Sequence, residues 1–418
     1  MKILLFFSAF LFITISRANE STLSTVRPSE VGLSQNRLER IDKVFKKSIA
    51  NNEIPGAVIA ISRYGKIAYL KAFGLQNPSN KIPMTINSIF RIYSMTKPIV
   101  SVAAMNMTEN GTIYLNENID KYIPSFSDMK VATASKLKDG NVDISYIKVK
   151  NKIKIHDLLR HTSGLTYGVF GKSPAKQLLK NSTIGNLNIR NISLEEYVNK
   201  LAKLPLAYNP GTTWEYGRSI EVLGRVLEVA SNSSLDILLK EKLFTPLNMK
   251  DTAFYVDKKN FYRIAEPFKE KQPELINIKK KPLFLTGGHG LVSTVSDYMR
   301  FCQMMLNKGK VGNKIIVSKN IVEYMTSNHL GKNINRNTPY YLPGQGYGFG
   351  LGFAVRENSG ISPWPGSKGE YFWAGYAGTY FWIDPKEELI VVSMTQSVTN
   401  RNHFRMLLRN LVYQAIIN

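Results

Sequence analysis

Two rhythms of hydrophobic spacing divide this chain. Over residues 34–49, Leu38, Ile41, Val44, Phe45 and Ile49 recur at helical intervals, predicting an amphipathic helix. Residues 57–62 and 67–73 are short apolar runs around Tyr64-Gly65-Lys66 and read as two hairpin strands. From Phe90 to Gly111 the helical period returns at Ile99, Val102, Ala103 and Met107, with Asn110-Gly111 as a stop. Pro98 is tolerable only in the first turn, so this helix should begin at about Ser94. Further helices are expected over 193–204, capped by Ser193 with Glu196 three residues on, and over 220–230, 235–244 and 295–306. Beyond Gly346 the rhythm changes: 347–355, 370–373, 378–383 and 389–395 read as strands, and 404–417 as a closing helix.

The two N-terminal strands need partners, and the C-terminal strands supply them. The expectation is an α/β (α+β) body from both ends of the chain, about 30–93 and 290–418, with a mainly helical part between, about 94–289. Residues 130–154 are polar and lysine-rich with a turn at Asp139-Gly140, and read as an exposed insertion. Lys2, the apolar run 3–15 and Ser16-Arg17-Ala18 read as a signal peptide over 1–18, leaving a mature chain 19–418 that is periplasmic or secreted. The run is too short to span a bilayer, and no other apolar stretch reaches that length.

Composition narrows the function classes. The formal charge is +24, but the lysines are spread along the whole chain without a zinc-finger or basic-zipper pattern, so no nucleic-acid partner is expected. The single cysteine, Cys302, lies in an apolar helical run and is expected to be a buried thiol. His156 and His161 match no zinc spacing and are expected to be hydrogen-bonded structurally; His289, His329 and His403 are scattered, and no metal or organic cofactor is expected. Gly287-Gly-His-Gly290 lacks the strand and spacing of a phosphate-binding loop.

The remaining chemistry centres on Ser94-Met-Thr-Lys97. A serine at a helix start lies among unpaired N–H groups, and a lysine three residues on shares its face. A desolvated amine can take a hydroxyl proton, which makes a nucleophile without histidine. Ser-x-x-Lys also occurs at Ser127, Ser135, Ser145 and Ser173, but only the Ser94 copy opens an apolar helix. No Gly-x-Ser-x-Gly elbow occurs, which disfavours a Ser-His-Asp hydrolase.

With Tyr216 in Pro210-Gly-Thr-Thr-Trp-Glu-Tyr216, the chain resembles the serine β-lactamase and penicillin-binding-protein superfamily, and within it the class C β-lactamase-like family VIII carboxylesterases. His161-Thr-Ser-Gly-Leu-Thr-Tyr167, Gly287-Gly-His-Gly-Leu-Val-Ser-Thr294 and Phe372-Trp-Ala-Gly-Tyr376 extend the likeness in the same order. The resemblance implies a β-lactamase/transpeptidase-like fold, an antiparallel sheet flanked by helices with a helical subdomain. It implies Ser94 as nucleophile, Lys97 and Tyr216 as the proton-transfer unit, and the N–H groups of Ser94 and Tyr376 as the oxyanion hole. Trp373, Gly375, Arg218 and Tyr167 are the implied substrate-binding residues.

Two positions depart from the β-lactamase pattern. The strand element reads Trp373-Ala-Gly375 where a lysine or histidine is usual, and the second element reads Tyr216-Gly-Arg218 instead of Tyr-x-Asn. A substrate carboxylate would lack a full positive charge at Trp373. Arg218 either recovers that contact or points to solvent. Trp364 and Phe170 join Tyr167 and Trp373 as candidates for lining an acyl pocket. The expected activity is hydrolysis of small or medium apolar carboxylic esters. The alternatives are a β-lactamase or D-alanyl-D-alanine carboxypeptidase-like peptidase, an acyltransferase, and an inactive cell-wall-binding relative; the sequence leaves oligomeric state open.

Overall fold

One interior strand of the main sheet is buried along its whole length. The computed structural model describes residues 24–136 and 142–417. The expected signal segment and the turn at Asp139-Gly140 lie outside the described residues. Strand β1 (Gly56–Arg63) has all eight residues buried, as its unbroken apolar run requires of a strand covered on both faces. It turns through Tyr64 (φ +52°) and Gly65 (φ +72°) into β2 (Lys66–Asn77). Two left-handed central residues match the right-handed twist of a two-residue hairpin.

Beyond β2 lies the short edge strand β3 (Ile82–Pro83). The other neighbour of β1 comes from the far end of the chain. Strands β4 (Tyr347–Phe349), β5 (Ala354–Arg356), β6 (Tyr371–Ala374), β7 (Tyr380–Asp384) and β8 (Leu389–Met394) complete an eight-stranded sheet in the order β4-β5-β6-β7-β8-β1-β2-β3. Every neighbouring pair is antiparallel, with Val58 opposite Met394 at the junction of the two chain ends. The single strand expected over 347–355 is two, because the chain reverses over 350–353, with Gly352 at φ +97°.

Register decides which helix covers which face. Phe73 lies opposite Ala57, and Phe45 of α1 (Gln35–Ala50) packs on it and on Phe404 of the C-terminal helix. Three residues along β1, Ala60 aligns with Val392 and through it Phe381, so Phe381 belongs to the other face. There Tyr298, in the helix Val295–Leu306, packs on Phe381 with ring centroids 5.0 Å apart.

The same face receives α2 (Thr96–Glu109), which is buried without a break from Thr96 to Met105. With apolar residues on every side and only Thr96, Lys97 and Ser101 polar among its buried positions, it lies in the interior. Helix α3 (Ser219–Ser231) packs on it, and the last turn of the helix expected over 235–244 widens to a π turn at Lys240–Phe244. The lysine-rich insertion is a hairpin of Lys130–Lys136 with Val142–Lys148. Cys302 is buried, and burial raises its thiol pKa. Among the described residues, no helix is long and apolar enough to cross a membrane.

Candidate active site

Ser94 stands where strand becomes helix. Phe90–Arg91 pairs with Val292–Ser293, and a single turn, Tyr93–Met95, then hands the chain to α2. Tyr93, one residue before the serine, is held at φ +44°, a conformation costly for a bulky side chain. Its hydroxyl accepts a hydrogen bond from the Ile276 N–H at 3.0 Å, which helps to hold it there. Ser94 is partly exposed, whereas Lys97 is buried.

The Lys97 Nζ lies 3.3 Å from Ser94 Oγ, 3.2 Å from the Tyr167 hydroxyl and 2.7 Å from the Gly288 carbonyl oxygen. The Ser94 hydroxyl and Lys97 amine are therefore within proton-transfer reach, on one helical face as their spacing anticipates. Tyr216 meets the lysine differently. Its ring centroid is 4.7 Å from Nζ, while its hydroxyl accepts the indole N–H of Trp373 at 3.3 Å. The hydroxyl that hydrogen-bonds Lys97 is that of Tyr167, a residue expected only to contact substrate. Burial, and next the negative charge of Glu221, push the Tyr167 pKa well above its ordinary value, so its O–H keeps its proton.

The expected oxyanion donors come from touching segments. Among the described residues, neither the Ser94 nor the Tyr376 N–H donates to another backbone carbonyl outside the regular elements. Thr379 Oγ1 donates to the Ile92 carbonyl at 3.2 Å, pinning the turn after β6 against the residues before Ser94. A Cβ on Gly375 would collide with Thr379 Oγ1 and the Ile92 carbonyl oxygen, so only glycine allows this approach. Tyr376 is 38% exposed and packs edge-on to Tyr93 at 5.5 Å.

Arg218 does not point to solvent. It is 1% exposed, pairs with Glu221 at 3.3 Å and stacks over the Tyr167 ring at 4.7 Å. Its charge is therefore turned to Glu221 inside the protein and away from solvent.

Trp364 is also displaced. It packs on Tyr347, which contacts Phe372, and Phe372 points to the opposite face of β6 from Trp373. Phe170 does reach the site, 6.0 Å from the Tyr216 ring and 6.1 Å from Tyr167.

His156 is hydrogen-bonded to His329 at 3.0 Å. His161 is not as expected: fully buried among Trp214, Tyr216 and Phe349, its two ring nitrogens have no hydrogen-bond partner among the described residues. Burial, then the charge of Lys97, lower its pKa to about 3.

Several residues near the site carry weak sequence signals. Glu221 lies three residues from Arg218, a spacing that puts both on one helical face. His289 approaches Glu221 at 3.1 Å, a contact across 68 residues. Arg401 stacks over the Tyr376 ring at 5.0 Å, and Arg405 donates to the Gly375 carbonyl. Elsewhere, a cleft of about 550 Å³ lined by Phe244, Met249, Phe254 and Leu285 contains none of Ser94, Lys97, Tyr167 or Tyr216. Volume alone does not make that cleft the reactive site, because none of its lining residues pairs a nucleophile with a base.

Comparison with known proteins places the chain in a family. The family model described as Beta-lactamase matches residues 41–414. A Mycobacterium tuberculosis protein described as uncharacterised is 29% identical over 357 residues, covering 82% of this chain and 86% of its own. Esterase EstB of Burkholderia gladioli is 30% identical over 272 residues, 64% of either chain. The solved structure titled "EstCE1, a hydrolase with promiscuous acyltransferase activity" superposes with a TM-score of 0.74 at 26% identity, covering 90% of this chain and 99% of that one. The chain therefore belongs to the β-lactamase family, as a β-lactamase-like serine hydrolase.

Proposed function

We propose that this protein hydrolyses carboxylic esters of small or medium apolar acids through an acyl-Ser94 intermediate. The observation that carries the reading is the 3.3 Å approach of the buried Lys97 amine to Ser94 Oγ. Lys97 takes the Oγ proton as Oγ attacks the ester carbonyl, forming the C–O bond of a tetrahedral intermediate. The N–H groups of Ser94 and Tyr376 receive its oxyanion. Collapse breaks the bond to the alcohol, which leaves with the proton carried by Lys97 and the adjacent Tyr216. Water, deprotonated by the same unit, then releases the acid and restores Ser94.

Substrate class follows from the walls. Tyr167, Phe170, Tyr216 and Trp373 present aromatic surface, and Trp373 replaces the strand cation that a β-lactam carboxylate would need. Relatives described as an esterase and as a hydrolase with promiscuous acyltransferase activity support the ester reading, and the second supports acyl transfer to an alcohol as a side reaction.

The test compares p-nitrophenyl butyrate with nitrocefin, using the wild type and Ser94→Ala. Ester turnover that disappears in the variant, with little nitrocefin cleavage, is the expected result. Turnover that survives Ser94→Ala would remove Ser94 as nucleophile, and fast nitrocefin cleavage would replace the ester reading with a β-lactamase one.

A further inference from the structure

Behind the Ser94–Lys97 pair lies a buried carboxylate that the proposed reaction does not use. Glu221 Oε1 is 3.3 Å from the Tyr167 hydroxyl, 3.3 Å from Arg218 Nη1, 3.1 Å from His289 Nδ1 and 3.4 Å from Thr286 Oγ1. Its side chain is wholly inaccessible, and its second oxygen has no hydrogen-bond partner among the described residues. Gly288 lies so close over the carboxyl group that any Cβ there would strike it. The carbonyl of that same Gly288 is the 2.7 Å acceptor for Lys97. Glu221 thus touches both groups, Tyr167 and Gly288, that hold the lysine from behind.

Hydrogen-bond accounting gives these contacts a direction. A carboxylate only accepts, so the Tyr167 O–H must donate to Glu221. The Tyr167 oxygen is then left to accept from Lys97. The Gly288 carbonyl also only accepts. In the neutral form that the proposed reaction requires, the amine has two N–H groups and one lone pair, and Tyr167 and Gly288 accept the two N–H groups. In that form the lone pair faces the third neighbour, Ser94 Oγ at 3.3 Å, to which the charged amine would instead donate.

Electrostatics keeps the arrangement in that sense. Burial opposes the charge on Glu221, but the His289 hydrogen bond and the Arg218 charge outweigh it and hold the carboxyl well below its ordinary pKa. Stability alone does not call for such a group, since apolar residues of the same volume commonly serve as well as a buried ion pair.

We propose that Glu221 is a positioning residue, which acts through Tyr167 to aim the Lys97 lone pair at Ser94. This rests on the reading of Ser94 and Lys97 as nucleophile and base. The test is a double-mutant cycle with Glu221→Gln, a substitution of the same shape that can donate to Tyr167, and Tyr167→Phe. Each single variant should lower kcat for p-nitrophenyl butyrate by about 10²-fold, the order expected of a misaimed reacting group, with KM changed little. The double variant should be no worse than the worse single variant, because both changes cut one chain of contacts.

Glu221→Gln turnover within about threefold of wild type, or losses that multiply in the double variant, would overturn the assignment. If the lone Arg218 charge unfolds Glu221→Gln, the charge-free pair Arg218→Met with Glu221→Gln carries the same comparison against Tyr167→Phe. Ser94→Ala, run alongside, separates the two levels. A dead Ser94→Ala with an unaffected Glu221→Gln refutes only the role of Glu221. An active Ser94→Ala refutes the underlying site.

Discussion

Trp373 donates its indole N–H to the Tyr216 hydroxyl over 3.3 Å, joining the strand element to the loop that precedes α3. The bond fixes the tyrosine oxygen while its ring lies against Lys97. Trp373→Phe keeps most of the packing and removes the donor. A hydrogen bond of ordinary net strength predicts a fall in kcat/KM for p-nitrophenyl butyrate of roughly three- to tenfold. Steady-state kinetics on the variant measure it, and an unchanged value would mean that Tyr216 is oriented without the indole.

Arg218 and Glu221 should be far costlier to separate than a surface pair. Both are buried, so Arg218→Ala strands a carboxylate in the interior. The expected loss is about 3–5 kcal/mol of folding stability, read by urea denaturation. An Arg218→Ala protein as stable as wild type would show that His289 and Thr286 suffice to hold Glu221.

Gly375 should not accept even one methyl group. Alanine there meets Thr379 Oγ1 and the Ile92 carbonyl, forcing the Tyr376 turn away from Ser94. Displacement of this kind predicts a loss of about 10² in kcat. Gly360→Ala, whose Cβ has nothing within 4 Å, is the matched control and should turn over ester at the wild-type rate.

Acid should unfold the protein partly through His161. Its pKa is about 3 in the fold, against an ordinary value of about 6.5, so below pH 6.5 the unfolded chain binds a proton that the folded chain refuses. Stability attributable to the neutral ring is complete above pH 6.5 and is lost as pH falls from there towards 3, at about 1.4 kcal/mol per unit. His161→Asn tolerates the left-handed backbone (φ +58°) and should flatten that slope in denaturation curves at pH 7 and pH 5. An equal slope in the variant would assign the acid sensitivity to other groups.

Local signals in the sequence are those that depend on a few neighbouring residues. Pro98 places the start of α2, and Thr294, whose side chain accepts from the Asp297 N–H, starts the helix Val295–Leu306 at the expected residue. The break between β4 and β5 was hidden because Gly350 and Gly352 lie within an apolar run that looks continuous. The burial of Arg218 was illegible for a different reason: a guanidinium goes inside only when a carboxylate goes with it, and tertiary packing decides that. Tyr167 reached Lys97 from 70 residues away, a contact for which no spacing rule exists.

The seam between β1 and β8 has a consequence for biosynthesis. Residue 58 cannot find its partner until residue 394 has been made. At typical elongation rates of about 5–20 residues per second, the most buried strand waits roughly 15–70 s with one hydrogen-bonding edge open. For that interval β1 is an apolar edge strand, the kind of segment that seeks out other chains. The nascent protein is therefore a natural client for a chaperone that covers residues 56–63 until the C-terminal strands arrive.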